Sequence, residues 1–295
     1  MTRHTTRREF LTDAALLTAA SAAVRAAGAA PGGSAEKMPT IKLGSVEVSR
    51  LILGSNPFFG FAHGNPQAKA DEMRQWYSEE RTMAVLDAAA ERGITAVWTP
   101  CYERWIELWN KYREKGGKLK TWIGQPDSFD KMTEHITACA KNGGKAVCIQ
   151  GECVDRAYRQ NDHARVKGWL EHIKGLGLPA GMASHKPTTH LIAEEKQLPA
   201  DFYHQCVYQP ENYSAACWEQ AMATIGKLAK PVVAYKVLAA GRTPPAKAFA
   251  ELFKHLKPKD GLCVGVFPRK HDELAENAAL ARKLTAEAAR KLAMR

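Results

Sequence analysis

From residue 49 onward the chain alternates short apolar runs with longer stretches in which apolar residues recur every three to four positions. The short runs are SRLILGS, ITAVWTP, KTWIGQP, KAVCIQG, PAGMASH, YHQCVYQ, PVVAYKV and LCVGVFP. They are rich in β-branched and aromatic residues and bounded by Gly, Pro or polar positions, as strands are. The stretches between them fit helices. In SFDKMTEHITACAKNGG, Phe129, Met132, Ile136 and Cys139 share one helical face, with Ser128 placed as N-cap and Gly143 as stop. Ser78, followed by Glu79 and Glu80, opens another helix that runs to Gly93. RWIELWNKYREKGGKLK reads as an amphipathic surface helix. Eight strand–helix units, spaced roughly 25–45 residues apart, close most simply as a (β/α)8 barrel, an α/β domain over residues 41–295. The alternative, an open doubly wound sheet, lacks the GxGxxG turn expected after its first strand. No internal repeat beyond the unit and no second domain is visible.

The first 40 residues depart from this alternation. Arg7 and Arg8 precede Phe10 and Leu11, an Ala/Leu-rich run from Ala14 to Val24, and small residues from Ala26 to Ala30. This order reads as a twin-arginine signal over residues 1–30, followed by a Gly/Pro/Ser-rich linker over 31–40. It predicts passage of a folded chain through the twin-arginine translocase to a periplasmic or otherwise exported location. The apolar run is too short to span a bilayer, and no later segment approaches about 18 apolar residues, so stable membrane insertion is not expected. The net charge of +11 comes from Lys and Arg dispersed among the acids, without a basic stripe interleaved with aromatics, which argues against nucleic-acid binding. Seven cysteines without tight spacing give neither a zinc-ribbon pattern nor a disulfide framework. Cys148, Cys206 and Cys263 fall inside strand runs and read as buried thiols.

In a (β/α)8 barrel, chemistry collects at the C-terminal ends of the strands. The loops there carry Glu152 and His185, which read as a proton-transfer pair acting on a small-molecule substrate. Asn56, His63, Gln125, Gln150 and Lys236 would position its oxygens. His63, Glu152 and His185 could also hold a divalent metal with one open position, although no tight HxxxH or HExxH spacing supports it. Lys236 lies near the end of an apolar strand, where it would act as a desolvated amine, hold an anionic ligand, or reach a mouth carboxylate such as Glu152 or Glu211. Arg242, Arg269 and Lys270 follow the last two strands, the usual phosphate-binding corner. Trp98, Tyr102 and Tyr208, with Phe58, Phe59, Phe61 and Trp105, would give a stacking wall suited to a sugar ring or a nicotinamide.

Several motifs, in order, resemble the aldo-keto reductases. IKLGSVEVSRLILGS resembles that family's opening hairpin and first strand, and VLDAAAERGITAVWTP the helix and strand leading to its catalytic aspartate. HQCVYQPEN resembles the strand whose glutamine and tyrosine hold the nicotinamide, here Gln205 and Tyr208. GMASH parallels a Ser-Asn pair, with Ser184 kept and His185 in the asparagine's place. VLAAGR and VGVFPRKHDELAEN resemble the loops holding the phosphates and adenine of NADP, ending in Glu276 and Asn277. The Asp-Tyr-Lys-His tetrad is not retained. Trp98 stands for the aspartate, Gln125 for the lysine and Gln150 with Gly151 for the histidine, while Tyr102 is one residue displaced. Without its lysine partner Tyr102 would titrate near the ordinary value of about 10 and be a poor acid at neutral pH.

Three functions follow as expectations. The first is an exported enzyme using acid–base chemistry on a small polar metabolite, a carbohydrate above all. The second is a divergent NADP(H)-dependent oxidoreductase with Tyr102 as acid. The third is a non-catalytic ligand-binding barrel.

Overall fold

The computed structural model describes residues 37–62, 67–208 and 215–294. The export signal and His63 lie outside the described residues. The barrel unit runs from Met38 to Arg295. It opens with an antiparallel hairpin, β1 (Thr40–Leu43) and β2 (Val46–Ser49), turned at Gly44 with φ 59°. Its apolar residues Ile41, Leu43 and Val48 pack with inward residues of the barrel strands, including Ile52, Phe202 and Val233. A side chain at Gly44 would strike Pro179, which directly precedes a barrel strand. The hairpin therefore plugs the N-terminal end, and only the opposite mouth is left for ligands.

Eight parallel strands close the barrel: β3 (Leu51–Gly54), β4 (Ala96–Pro100), β5 (Thr121–Gln125), β6 (Ala146–Ile149), β7 (Ala180–Ser184), β8 (Phe202–Cys206), β9 (Val232–Tyr235) and β10 (Gly261–Gly265), with β10 paired to β3. The (β/α)8 expectation thus holds. Strict alternation sorts each strand into an inner and an outer set. Ile52, Trp98, Ile123, Cys148, Ala183, Phe202, Val233 and Cys263 face inward, whereas Leu53, Val97, Trp122, Val147, Met182 and Tyr203 pack under the helices.

The elements follow their sequence signals with two differences, one in a helix and one in a strand. Ser78 caps its helix, accepting from the Arg81 amide at 3.2 Å, and Gly93 ends it with φ 78°. The helix expected from Ser128 begins instead at Met132. Ser128 bonds the Lys131 amide at 3.3 Å in a preceding turn, and Phe129 leaves the helical face to stack beneath the Arg156 guanidinium, 3.9 Å away. In the second, β9 stops at Tyr235. Lys236 is the first loop residue, in a left-handed conformation with φ 60°, rather than the last residue of the strand. No helix among the described residues is long and apolar enough to cross a membrane.

Candidate active site

The open mouth leads into a cavity of about 520 Å³, the size of a small-molecule site. Of the residues expected there, Asn56, Trp98, Gln125, Gln150, His185 and Lys236 line it, joined by His204 and Tyr235. Room at the mouth comes partly from the paired glycines Gly54 and Gly265. A Cβ on the first would lie 2.9 Å from the Gly265 amide, and one on the second 2.7 Å from the Pro57 ring.

The best-organised polar cluster sits where β6 passes into helix α1 (Gly151–Arg159). Gln150 caps this helix, its side-chain oxygen accepting from the Cys153 amide at 3.1 Å. One turn on, Asp155 lies on the buried face with Val154 and only 3% of its side chain is exposed. Its carboxylate accepts from the Ser184 hydroxyl at 2.5 Å, the His185 amide at 3.0 Å and the His185 ring at Nδ1 at 2.9 Å. Burial by itself would raise the carboxyl's pKa. The three donors and the imidazole outweigh it and hold Asp155 below the ordinary carboxylate range. With Nδ1 committed to Asp155, Nε2 is the nitrogen His185 has left for the cavity it lines.

Gly151 fits beneath this ring. A Cβ there would come within 3.1 Å of His185 Cε1 and the Tyr235 hydroxyl. Gly151→Ala is expected to push the imidazole off Asp155 by a few tenths of an ångström. Turnover should fall by about 10-fold with no loss of melting temperature, because alanine is the better helix former. Paired kinetics and thermal melts check it.

Below this dyad the inner face carries an aromatic stack. The His204 ring stacks on Trp98, with centroids 4.0 Å apart, and packs tilted against Tyr235, 4.2 Å away. Trp98 also meets Phe202 edge-on. Burial, then the charges of His190 and His185, push the His204 pKa well down, so its ring is neutral. Both His204 ring nitrogens and the Trp98 indole nitrogen are buried without a hydrogen-bond partner among the described residues. Each such atom costs about 1–3 kcal/mol of stability.

The other expected residues are placed as follows. Glu152, read as the partner of His185, has 58% of its side chain exposed and pairs with Arg159; the imidazole's partner is Asp155. Donor atoms of Glu152, Asp155 and His185 do lie within 4.8 Å of one another, but a cation there would compete with the three donors on Asp155. Tyr102 donates to Asp127 at 2.6 Å. Burial and that carboxylate raise its pKa beyond the ordinary phenol range, which makes it a still weaker acid than the sequence implies. Tyr208 packs on Trp218, away from the cavity-lining set. Ser184 and Gln205 both point outward from the barrel, the first to Asp155 and the second to His190 Nδ1 at 2.8 Å. His190 is fully buried, and burial lowers its pKa to about 4. Arg269 pairs with Glu72, Lys270 is exposed, and Arg242 bonds the Ala239 carbonyl at 3.0 Å. Glu276 faces His271 at 3.3 Å, and Asn277 is buried in the final helix. None of these five lines the cavity. Sequence reasoning missed Asp155 and His204.

No family model matches the chain, and no curated protein matches it by sequence. The fold is similar to that of the solved apo form of Gox0644, with a TM-score of 0.53 and 12% identity over 86% of this chain and 94% of that one. A protein assigned as a 2,5-diketo-D-gluconic acid reductase B also scores 0.53 at 12% identity, covering 86% of this chain and 91% of its own. A thiamine phosphate pyrophosphorylase from Pyrococcus furiosus, at 15% identity over 81% and 95% of the two chains, reaches a TM-score of only 0.48. Identities this low bear on fold alone. The chain is a (β/α)8 barrel similar in fold to a solved aldo-keto reductase.

Proposed function

We propose that the barrel mouth is an enzyme active site for proton transfer on a small polar metabolite, a carbohydrate above all, with His185 as the base. The observation that carries this is the buried Asp155 carboxylate bonded to Nδ1 of a cavity-lining imidazole. Such a clamp fixes the tautomer with a lone pair on Nε2 and stabilises the imidazolium formed when that nitrogen takes a proton. Gln125, Gln150 and Lys236 line the same cavity and would hold the substrate's oxygens. The tetrad positions support a non-redox reaction, since Trp98 and Gln125 cannot supply the carboxylate and the cation that make a tyrosine acidic enough for carbonyl reduction.

Incubation of the protein with reducing sugars in D₂O tests this, with loss of carbon-bound proton signals followed by NMR. Exchange that depends on His185 is the expected result. Micromolar binding of NADPH in a calorimetric titration would overturn it in favour of the reductase reading.

Export belongs to the same proposal, on the strength of Arg7, Arg8 and the apolar run after them. Replacing both arginines by lysine should leave the chain in the cytoplasmic fraction; unchanged export after that double substitution would refute the twin-arginine route.

A further inference from the structure

We propose that His204 reads two hydroxyl groups of the ligand from the floor of the cavity, accepting from one with one ring nitrogen and donating to the other with the second, and so selects polyhydroxy compounds. The inference rests on the reading of the mouth as a proton-transfer site. It starts from alternation along β8, which turns Phe202 and His204 inward and sends Tyr203 and Gln205 outward. His204 is 4% exposed, yet it lines the cavity.

The stack fixes the plane of its ring. Trp98 and Tyr235 pack against it with centroids 4.0 and 4.2 Å away, so polar contacts are left to the plane of the ring, where the nitrogens lie. Neither nitrogen has a partner among the described residues, and the Trp98 indole nitrogen beside them has none either. Other buried polar atoms are also unmet, the indole nitrogens of Trp105, Trp109 and Trp122 among them, but among the described residues with such atoms only Trp98 and His204 line the cavity, where a ligand can satisfy them.

The chemistry of that ligand follows from the ring's protonation state. Burial keeps His204 neutral, so one nitrogen donates and the other accepts. The two nitrogens point away from each other, so they are met by two groups, one donating and one accepting, and the hydroxyls of a polyol can play either part. A carboxylate or phosphate can only accept, and would leave the second nitrogen unmet.

The test uses the full chain labelled with ¹⁵N-histidine. Long-range ¹H–¹⁵N spectra of the imidazoles would be recorded with D-glucose, D-xylose and myo-inositol, and with D-gluconate as an acidic comparison. His204→Phe, which keeps a ring in the stack, and His204→Gln assign the signal and report affinity. A neutral probe is expected to shift the signals of both His185 and His204. The phenylalanine variant, freed of two unmet nitrogens, should melt no lower than the parent and bind that probe about tenfold more weakly or worse. Should it fail to fold, the glutamine variant carries the affinity comparison. A probe that moves His185 alone, or that binds either variant with parental affinity, would overturn the role of His204 and leave the mouth reading standing. Silence at both histidines with every probe would overturn both.

Discussion

Asp155→Asn is expected to lower turnover at the barrel mouth by about 10²–10⁴-fold while the barrel stays folded. The reasoning lies in the tautomer. The carboxylate can only accept, so His185 must carry its proton on Nδ1 and keep a lone pair on Nε2. An asparagine amide placed against Nδ1 can donate instead, which moves the imidazole proton to Nε2. The ring then presents a donor to the substrate and cannot act as base. His185→Gln should lose as much, and the double variant should lose no more than either single one, because the two residues act as a unit. Sugar-dependent proton exchange in D₂O measures all three. Additive losses in the double variant would show that Asp155 does not work through His185.

The same substitution has a signature in stability. The folded carboxyl titrates below its ordinary value of 3.8, so its ionised form is favoured by folding. That contribution is complete above the unfolded value and disappears as the pH falls through the lower folded value. The parent should therefore lose stability below about pH 4 more steeply than Asp155→Asn does. Urea midpoints recorded between neutral pH and pH 3 decide it.

Most of the fold is legible in the sequence because its signals are local. Eight apolar runs separated by helix-period stretches specify strands and helices from residues within a few positions of each other. Closure of the barrel follows from their number and order. The site is less legible because its contacts are not local. Asp155 meets Ser184 and His185 from about 30 residues away along the chain, across a helix and a strand. Glu152 draws notice as the acid nearest the end of β6, yet it is the exposed position on a turn where Gly151, Cys153, Val154 and Asp155 are all buried. The available signal was an acid on the apolar stripe of an amphipathic helix.

His204 was hidden by its neighbour. The family motif directs attention to Gln205, and a shift of one residue in a strand moves a side chain to the opposite face. Counting alternately from Phe202 would have placed His204 inside the barrel. Lys236 shows the reverse case: the apolar run predicts a strand through it, but the backbone turns left-handed at that residue, and nothing in the composition of the run marks the turn.

Trp98 occupies the position where the resemblance expects an aspartate, and its replacement carries the largest predicted effect on stability. Trp98→Ala is expected to destabilise the barrel by about 3–5 kcal/mol. The indole is 3% exposed, packs face to face on His204 and meets Phe202 edge-on, so its removal leaves a cavity that the closed ring of strands cannot collapse to fill. Trp98→Phe keeps an aromatic face against His204 and should cost less than half as much. Trp98→Asp, which restores the family residue, should be the worst of the three. It places a carboxylate in an apolar layer, and the position where the family's lysine would meet it holds Gln125. Restoring the aspartate alone should therefore bring no NADPH-dependent carbonyl reduction. Urea unfolding of the three variants fixes the order, and an NADPH oxidation assay on Trp98→Asp tests the last point. If Trp98→Asp matched the parent in stability, the floor of the cavity would have to be far more polar than the stack of Trp98, His204 and Tyr235 allows.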